Sequence, residues 1–213
     1  MKKIYLIIFC SFILFSCRTH KHAAYSQGAY FQNIRKFQQD LNAEFKNPKE
    51  SPLDSVDLKK FKALAFFPID SSYRIKARLV KNKNPQVFEM ATSTQRKPKY
   101  TKYVDAYFKI HDTICHLEIY QNQALLKNPK YKDYLFAPFG DRTNGNITYD
   151  GGRYLDLRLP KQPNYIILDF NKAYNPYCAY SHRYSCPLIP YTNILPVHIK
   201  AGVKKYYGAK SIH

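Results

Sequence analysis

Apolar residues recur at steps of three or four at Phe31, Ile34, Phe37, Leu41 and Phe45. That spacing forms one face of an amphipathic helix over 31–46, stopped by Asn47-Pro48 and followed by a loop at Ser51-Pro52. A short helix over 55–61 is expected next, with Asp54 or Ser55 as its N-cap. The period then changes to two. Tyr73, Ile75, Ala77 and Leu79 alternate with Arg74, Lys76 and Arg78, which reads as a half-exposed strand. Val104, Ala106, Phe108 and Ile110 alternate with Tyr103, Asp105, Tyr107 and Lys109. Cys115, Leu117 and Ile119 alternate with His116, Glu118 and Tyr120, and His111-Asp112-Thr113 between these runs suits a hairpin. Further strands are predicted over 134–139, 153–159, 165–170 and 197–200, punctuated by Asn128-Pro129, Gly151-Gly152 and Pro160 to Pro163. Successive strands without long intervening helices predict a mainly β (α+β) fold. The expected form is an antiparallel β-barrel or sandwich, in one domain over 30–213, with an N-terminal amphipathic helix at an end or edge.

The start of the chain follows another pattern. Lys2 and Lys3 precede an apolar run over 4–15, then Ser16 and Cys17. This describes a secretory signal, and the run falls short of the roughly 20 apolar residues that a membrane span needs. Leu14-Phe15-Ser16-Cys17 resembles a bacterial lipobox. It implies cleavage of a signal peptide over 1–16 and a lipid on Cys17, with 17–29 as a basic tether. Two acyl chains suffice for stable anchoring. The expected location is the cell envelope, facing the periplasm, with the membrane as a partner through Cys17.

Composition then narrows the partners. The 45% hydrophobic and 16% aromatic content excludes a disordered chain. With twenty Tyr and no Trp, the aromatics suit half-buried strands and wet pockets. The formal charge is +19, and removal of Lys2 and Lys3 with the signal leaves +17. In a cytoplasmic protein this would suggest nucleic acid, a partner that export removes. An anionic envelope component could answer the charge, but the lysines are scattered, so a Lys-rich solvated surface is the plainer reading. A monomer is expected.

With Cys10 removed and Cys17 lipidated, Cys115, Cys178 and Cys186 remain. Cys115 reads as a buried small hydrophobe. Cys178 and Cys186 are the candidates for a disulfide outside the cytoplasm. The pair also admits two other readings. One makes Cys178 a catalytic thiol with His182; the other joins Cys178, Cys186 and His182 as metal ligands, although the spacing lacks the tight pairs of zinc sites. The expectation adopted is a disulfide, no metal and no cofactor. No phosphate loop, HExxH, GxSxG or dinucleotide fingerprint occurs.

Polar residues concentrate between Asp141 and Pro190. The most distinctive runs are Pro138-Phe139 with Asp141, Thr143 and Gly145; Thr148-Tyr149 with Gly152-Arg153-Tyr154; and Leu168-Asp169-Phe170-Asn171. Ala173-Tyr174-Asn175-Pro176, Cys178-Ala179, Cys186-Pro187-Leu188, Asn193 and Ala201-Gly202 continue the series. From about Phe45 to Tyr206 the chain resembles the uncharacterised DUF1684 proteins, particularly their short lipoprotein members from Bacteroidetes-type bacteria. Longer members carry an extra N-terminal portion. Many also carry an acidic residue where Ile147 stands, and often Glu where Val203 stands. The resemblance implies no established activity.

The site expected from these residues is a pocket built by Asp141, Thr143, Tyr149, Arg153, Asp169, Asn171, Asn175 and Tyr177. It would bind a small polar ligand, a glycan or an envelope partner. The alternative is a hydrolase-like enzyme using Asp141 or Asp169 beside Arg153. Each of these residues also has a plain structural reading, as a turn cap or as a member of a buried ion pair.

Overall fold

A computed structural model describes residues 18–208, with side chains from residue 27 onward; the expected signal and Cys17 lie outside the described residues. The first helix, α1 (Arg18–Lys46), runs back through the segment expected as a tether. Its apolar stripe buries Ile34 and Phe45. The short α2 (Ser55–Lys60) begins at Asp54, whose side chain accepts from the Val56 and Asp57 amides. This satisfies two of the donors left open at a helix start. Among the described residues, no helix is long and apolar enough to cross a membrane.

Seven strands follow: β1 (Arg74–Lys81), β2 (Val87–Glu89), β3 (Lys99–Ile110), β4 (Thr113–Asn122), β5 (Tyr134–Phe139), β6 (Arg153–Arg158) and β7 (Tyr165–Asp169). They pair antiparallel in the order β6-β5-β4-β3-β1-β7, with β2 added beside β3. The sheet curls into a half-barrel, and α1 lies over the gap between the edge strands β6 and β7. The period-two pattern accounts for its interior. Ala77, Val104, Ala106, Phe108, Leu117, Ile119, Leu135, Leu155 and Leu168 face one continuous core. Cys115 is buried in the same core.

Two departures from the pattern have physical causes. β2 has all three residues exposed, so no alternation marks it. In β3 the register against β4 shifts between Lys102 and Val104. Such a bulge moves following side chains to the opposite face. Tyr100 therefore packs outside the barrel although it shares the parity of Val104. There it joins Met90, Tyr120, Phe136, Tyr154 and Cys186 in a second core, which Tyr174, Tyr177 and Tyr184 help to cover.

The strand predicted over 197–200 does not form. That stretch is part of an extended strap over 193–205, held by scattered bonds instead of a ladder. Gly140 donates to Asn193 O, Arg142 to Val197 O, and Val203 to Ala173 O. Gly202 sits at φ +78, and a Cβ there would lie 2.5 Å from Ala173 O, so only glycine allows this approach.

Candidate functional site

The eight expected site residues do not line one pocket, which corrects the single shared pocket. Asp141, Thr143 and Arg153 are sealed in the interior. Arg153 follows the inward parity of Leu155 and Leu157 in β6, and its guanidinium lies over the Phe139 ring. It pairs with Asp141 at 2.8 Å, both side chains at 0% exposure. The same guanidinium donates to Ile199 O and Ala201 O of the strap. Among the described residues its Nε finds no partner. Asp141 accepts from Thr143 N, Thr143 Oγ1 and Ile199 N through its other oxygen. Burial draws the Arg153 pKa below its ordinary value, and the Asp141 carboxylate opposes that shift. Both side chains are closed to solvent in this structure.

Asn171 and Asn175 are buried braces. The Asn171 amide donates to Tyr30 Oη, Asp70 O and Asp169 Oδ1 and accepts from Asp70 N. Asn175 donates to Tyr180 Oη and Lys204 O. Tyr149 packs its hydroxyl 3.9 Å from Cys178 Sγ.

Asp169 and Tyr177 do line solvent-accessible space, in the two lobes of a cleft under α1. The polar lobe, about 720 Å³, lies between β6 and β7. Tyr30 and Asn33 of α1 face Asp156, Arg158, Asp169, Arg74 and Lys172 across it. Three donors converge on Asp169 Oδ1: Tyr30 Oη at 3.1 Å, Asn171 N at 3.2 Å and Asn171 Nδ2 at 3.1 Å. Arg74 stacks 5.6 Å from the Tyr30 ring. Burial and the neighbouring Asp169 carboxylate raise the Tyr30 pKa, so its hydroxyl acts as a donor.

The aromatic lobe, about 400 Å³, is lined by Phe37 and Glu44 of α1 with Tyr154, Tyr174, Tyr177 and Tyr184. Tyr177 hydrogen-bonds Glu44, and Tyr154 donates to Pro187 O. The Tyr177 and Tyr184 rings lie 5.1 Å apart. Cys186 closes one wall. Its Sγ accepts the Cys178 amide at 3.1 Å, and both thiols are free in this structure, adjacent instead of bridged.

Asp156 lines both lobes. Its Oδ1 accepts Tyr134 Oη at 2.7 Å and Tyr174 Oη at 2.6 Å. Desolvation raises its pKa above 3.8, and the two tyrosine hydroxyls oppose the shift. In the sequence, Asp156 stands with Asp141 and Asp169 as a carboxylate that could share a polar pocket with Arg153, but nothing there singles out Tyr134 or Tyr174. The usable signal was parity: Asp156 alternates with Leu155 and Leu157 and must face outward. Tyr174 gave no such signal, because an irregular segment delivers it. Among the described residues no group of three His, Cys, Asp or Glu side chains is placed to hold a metal ion.

The model of the DUF1684 family, described as a protein of unknown function, matches residues 59–204. A solved structure of an uncharacterized protein from Haloarcula marismortui, determined by solution NMR, is similar at 28% identity. The match covers 84% of this chain and 96% of that one, with a TM-score of 0.65. No curated protein matches the chain.

Proposed function

The chain belongs to the DUF1684 family, and from that premise, which brings a fold but no activity, we propose an envelope lipoprotein that binds a small polar ligand of saccharide type. The observation that carries this reading is the two-lobed cleft centred on Asp156. Ligand sites combine apolar walls with a few fixed polar groups. Here Tyr154, Tyr174 and Tyr177 offer ring faces at one end, while Asp156, Asp169, Arg74 and Lys172 offer acceptors and donors at the other. A hydroxyl-rich ring satisfies both. Cleavage before Cys17 would tether the domain through a lipid, consistent with Lys2, Lys3 and the apolar run after them.

The test of binding is calorimetry against neutral and acidic oligosaccharides, with Asp156→Asn as the variant. Loss of the carboxylate is expected to weaken affinity at least tenfold, about 1.4 kcal/mol. Stability should move the other way. Asp156 binds its proton more tightly folded than unfolded, so its contribution is present below about pH 3.9 and lost as pH rises through the folded value. At neutral pH that contribution is gone, and Asp156→Asn should hold or raise Tm. Unchanged affinity in a folded Asp156→Asn protein would sink the cleft as the site.

The anchor has its own test. Cys17→Ser is expected to shift the protein from the membrane fraction to the soluble envelope fraction of the producing cell. A Cys17→Ser protein that still sediments with membranes would remove the lipid from the reading.

A further inference from the structure

Cys178 and Cys186 stand apart from the polar groups just described, yet Cys186 forms a wall of the aromatic lobe. Their surroundings are specific. The Cys178 amide points at Cys186 Sγ, the Tyr149 hydroxyl contacts Cys178 Sγ, and Ser93 Oγ takes the Cys186 amide. The Cys178 side is half-buried, whereas Cys186 is 7% exposed. Cys178 is thus the more exposed residue of the two, while Cys186 meets the aromatic lobe along its wall. We propose that Cys178 and Cys186 form a thiol–disulfide exchange site, with Cys178 as the attacking thiol, Cys186 as the resolving thiol and a low-molecular-weight disulfide as the substrate.

The electrostatics agree with that division. The Cys186 hydrogen bond is the main cause that brings the Cys178 pKa from 9.0 to about 7; burial opposes it, and Tyr149 and Ser93 assist. The same bond, with burial, raises the Cys186 thiol. The other groups facing the pair are Arg96, whose charge favours the Cys186 thiolate, and Tyr154, whose ionisation both sulfurs oppose. Tyr177 and Tyr184 pack beside them as neutral rings.

The chemistry balances in two exchanges. The Cys178 thiolate attacks one sulfur of a small disulfide R–S–S–R, forming the Cys178–S–S–R bond and expelling RS⁻. Cys186 then loses its proton and attacks Cys178 Sγ, forming the Cys178–Cys186 bond and expelling the second RS⁻. The protein loses two hydrogens as two electrons pass to the small disulfide, which becomes two thiols. Reduction by a small thiol reverses both steps. Closure joins the two sides of the segment over 178–186, so oxidation state also shapes the aromatic lobe.

The experiment uses the full-length chain, reduced and freed of reductant, mixed with oxidised glutathione, quenched in acid and mapped by mass spectrometry. An intramolecular Cys178–Cys186 bridge is expected, with Cys186→Ser halting at a glutathione adduct on Cys178. Cys178→Ser should form adduct on Cys186 at least about tenfold more slowly. In the wild type, which needs no variant to fold, the rate should level off above about pH 7. At pH 7 it should exceed that of an ordinary thiol of pKa about 8.5 by only about threefold, because nucleophilicity falls with pKa. A rate still climbing above about pH 8.5 overturns the proposal, as do adducts confined to Cys115 or equal rates in Cys178→Ser and wild type.

Discussion

Replacing Arg153 with Ala is expected to destabilise the domain by about 3–5 kcal/mol, the range for breaking a buried ion pair by removing one partner. For a domain of this size, at about 2–4 °C per kcal/mol, Tm should fall by roughly 6–20 °C. The reason is geometric. Asp141 would be left at 0% exposure with its cation gone. The carbonyls of Ile199 and Ala201 would lose their donors at the same moment. Buried acceptors left without partners cost about 1–3 kcal/mol each, so the strap would loosen where it crosses the barrel mouth. Arg153→Lys should recover little, since a point ammonium cannot address Asp141 and two carbonyls as the planar fork does. Asp141→Asn should cost a comparable amount by leaving the guanidinium uncompensated.

A double variant separates charge from packing. Arg153→Met with Asp141→Leu removes both charges together, and a buried pair replaced by apolar groups is often near neutral. The double variant is expected to lose less than the two single variants summed, a coupling of the size seen for residues in contact. Denaturant unfolding of the four proteins checks this. An Arg153→Ala protein within about 1 kcal/mol of wild type would show that the clamp does not hold the strap.

The same residue shows what sequence could and could not carry. Period-two alternation placed Ala77, Ala106 and Leu117 on one apolar face, and all three lie in the core, because a curled sheet still has one apolar face. An Arg next to paired glycines reads as a ligand group, yet its inward parity with Leu155 and Leu157 already pointed to the core. Asp156 lay on the outward side of the same strand, and its role depends on non-local partners. Tyr134 comes from β5, Tyr174 from an irregular segment, and α1 closes the cleft from the far end of the chain. No local period encodes such a meeting. The 193–205 strap was illegible for a related reason. It pairs with loops and side chains, so its apolar residues follow neither a strand nor a helix.

Asn193 is the second residue whose removal should cost a large part of the stability, and it sits where the sheet is weakest. β4 and β5 share a single register pair, Tyr120↔Phe136, so the strands diverge beyond it. The Asn193 side chain, 0% exposed, fills that gap. Its Oδ1 accepts Glu118 N at 2.8 Å, while Nδ2 donates to Glu118 O at 2.9 Å and Pro138 O at 2.7 Å. One amide thus performs the ladder bonding that the two strands no longer give each other. Asn193→Leu would strand three backbone groups at about 1–3 kcal/mol each, for a loss of roughly 3 kcal/mol or more. Asn193→Asp is the sharper probe. It keeps an acceptor for the Glu118 amide but turns the donor into an oxygen facing two carbonyls, and it buries a charge without a partner. Thermal unfolding should rank wild type above both variants. Amide exchange at Glu118 should accelerate in Asn193→Leu beyond the change at Ala106 in the adjoining β3. Equal acceleration at both amides would mean the sheet loosens as a whole, and that the bridge between β4 and β5 is not what Asn193 supplies.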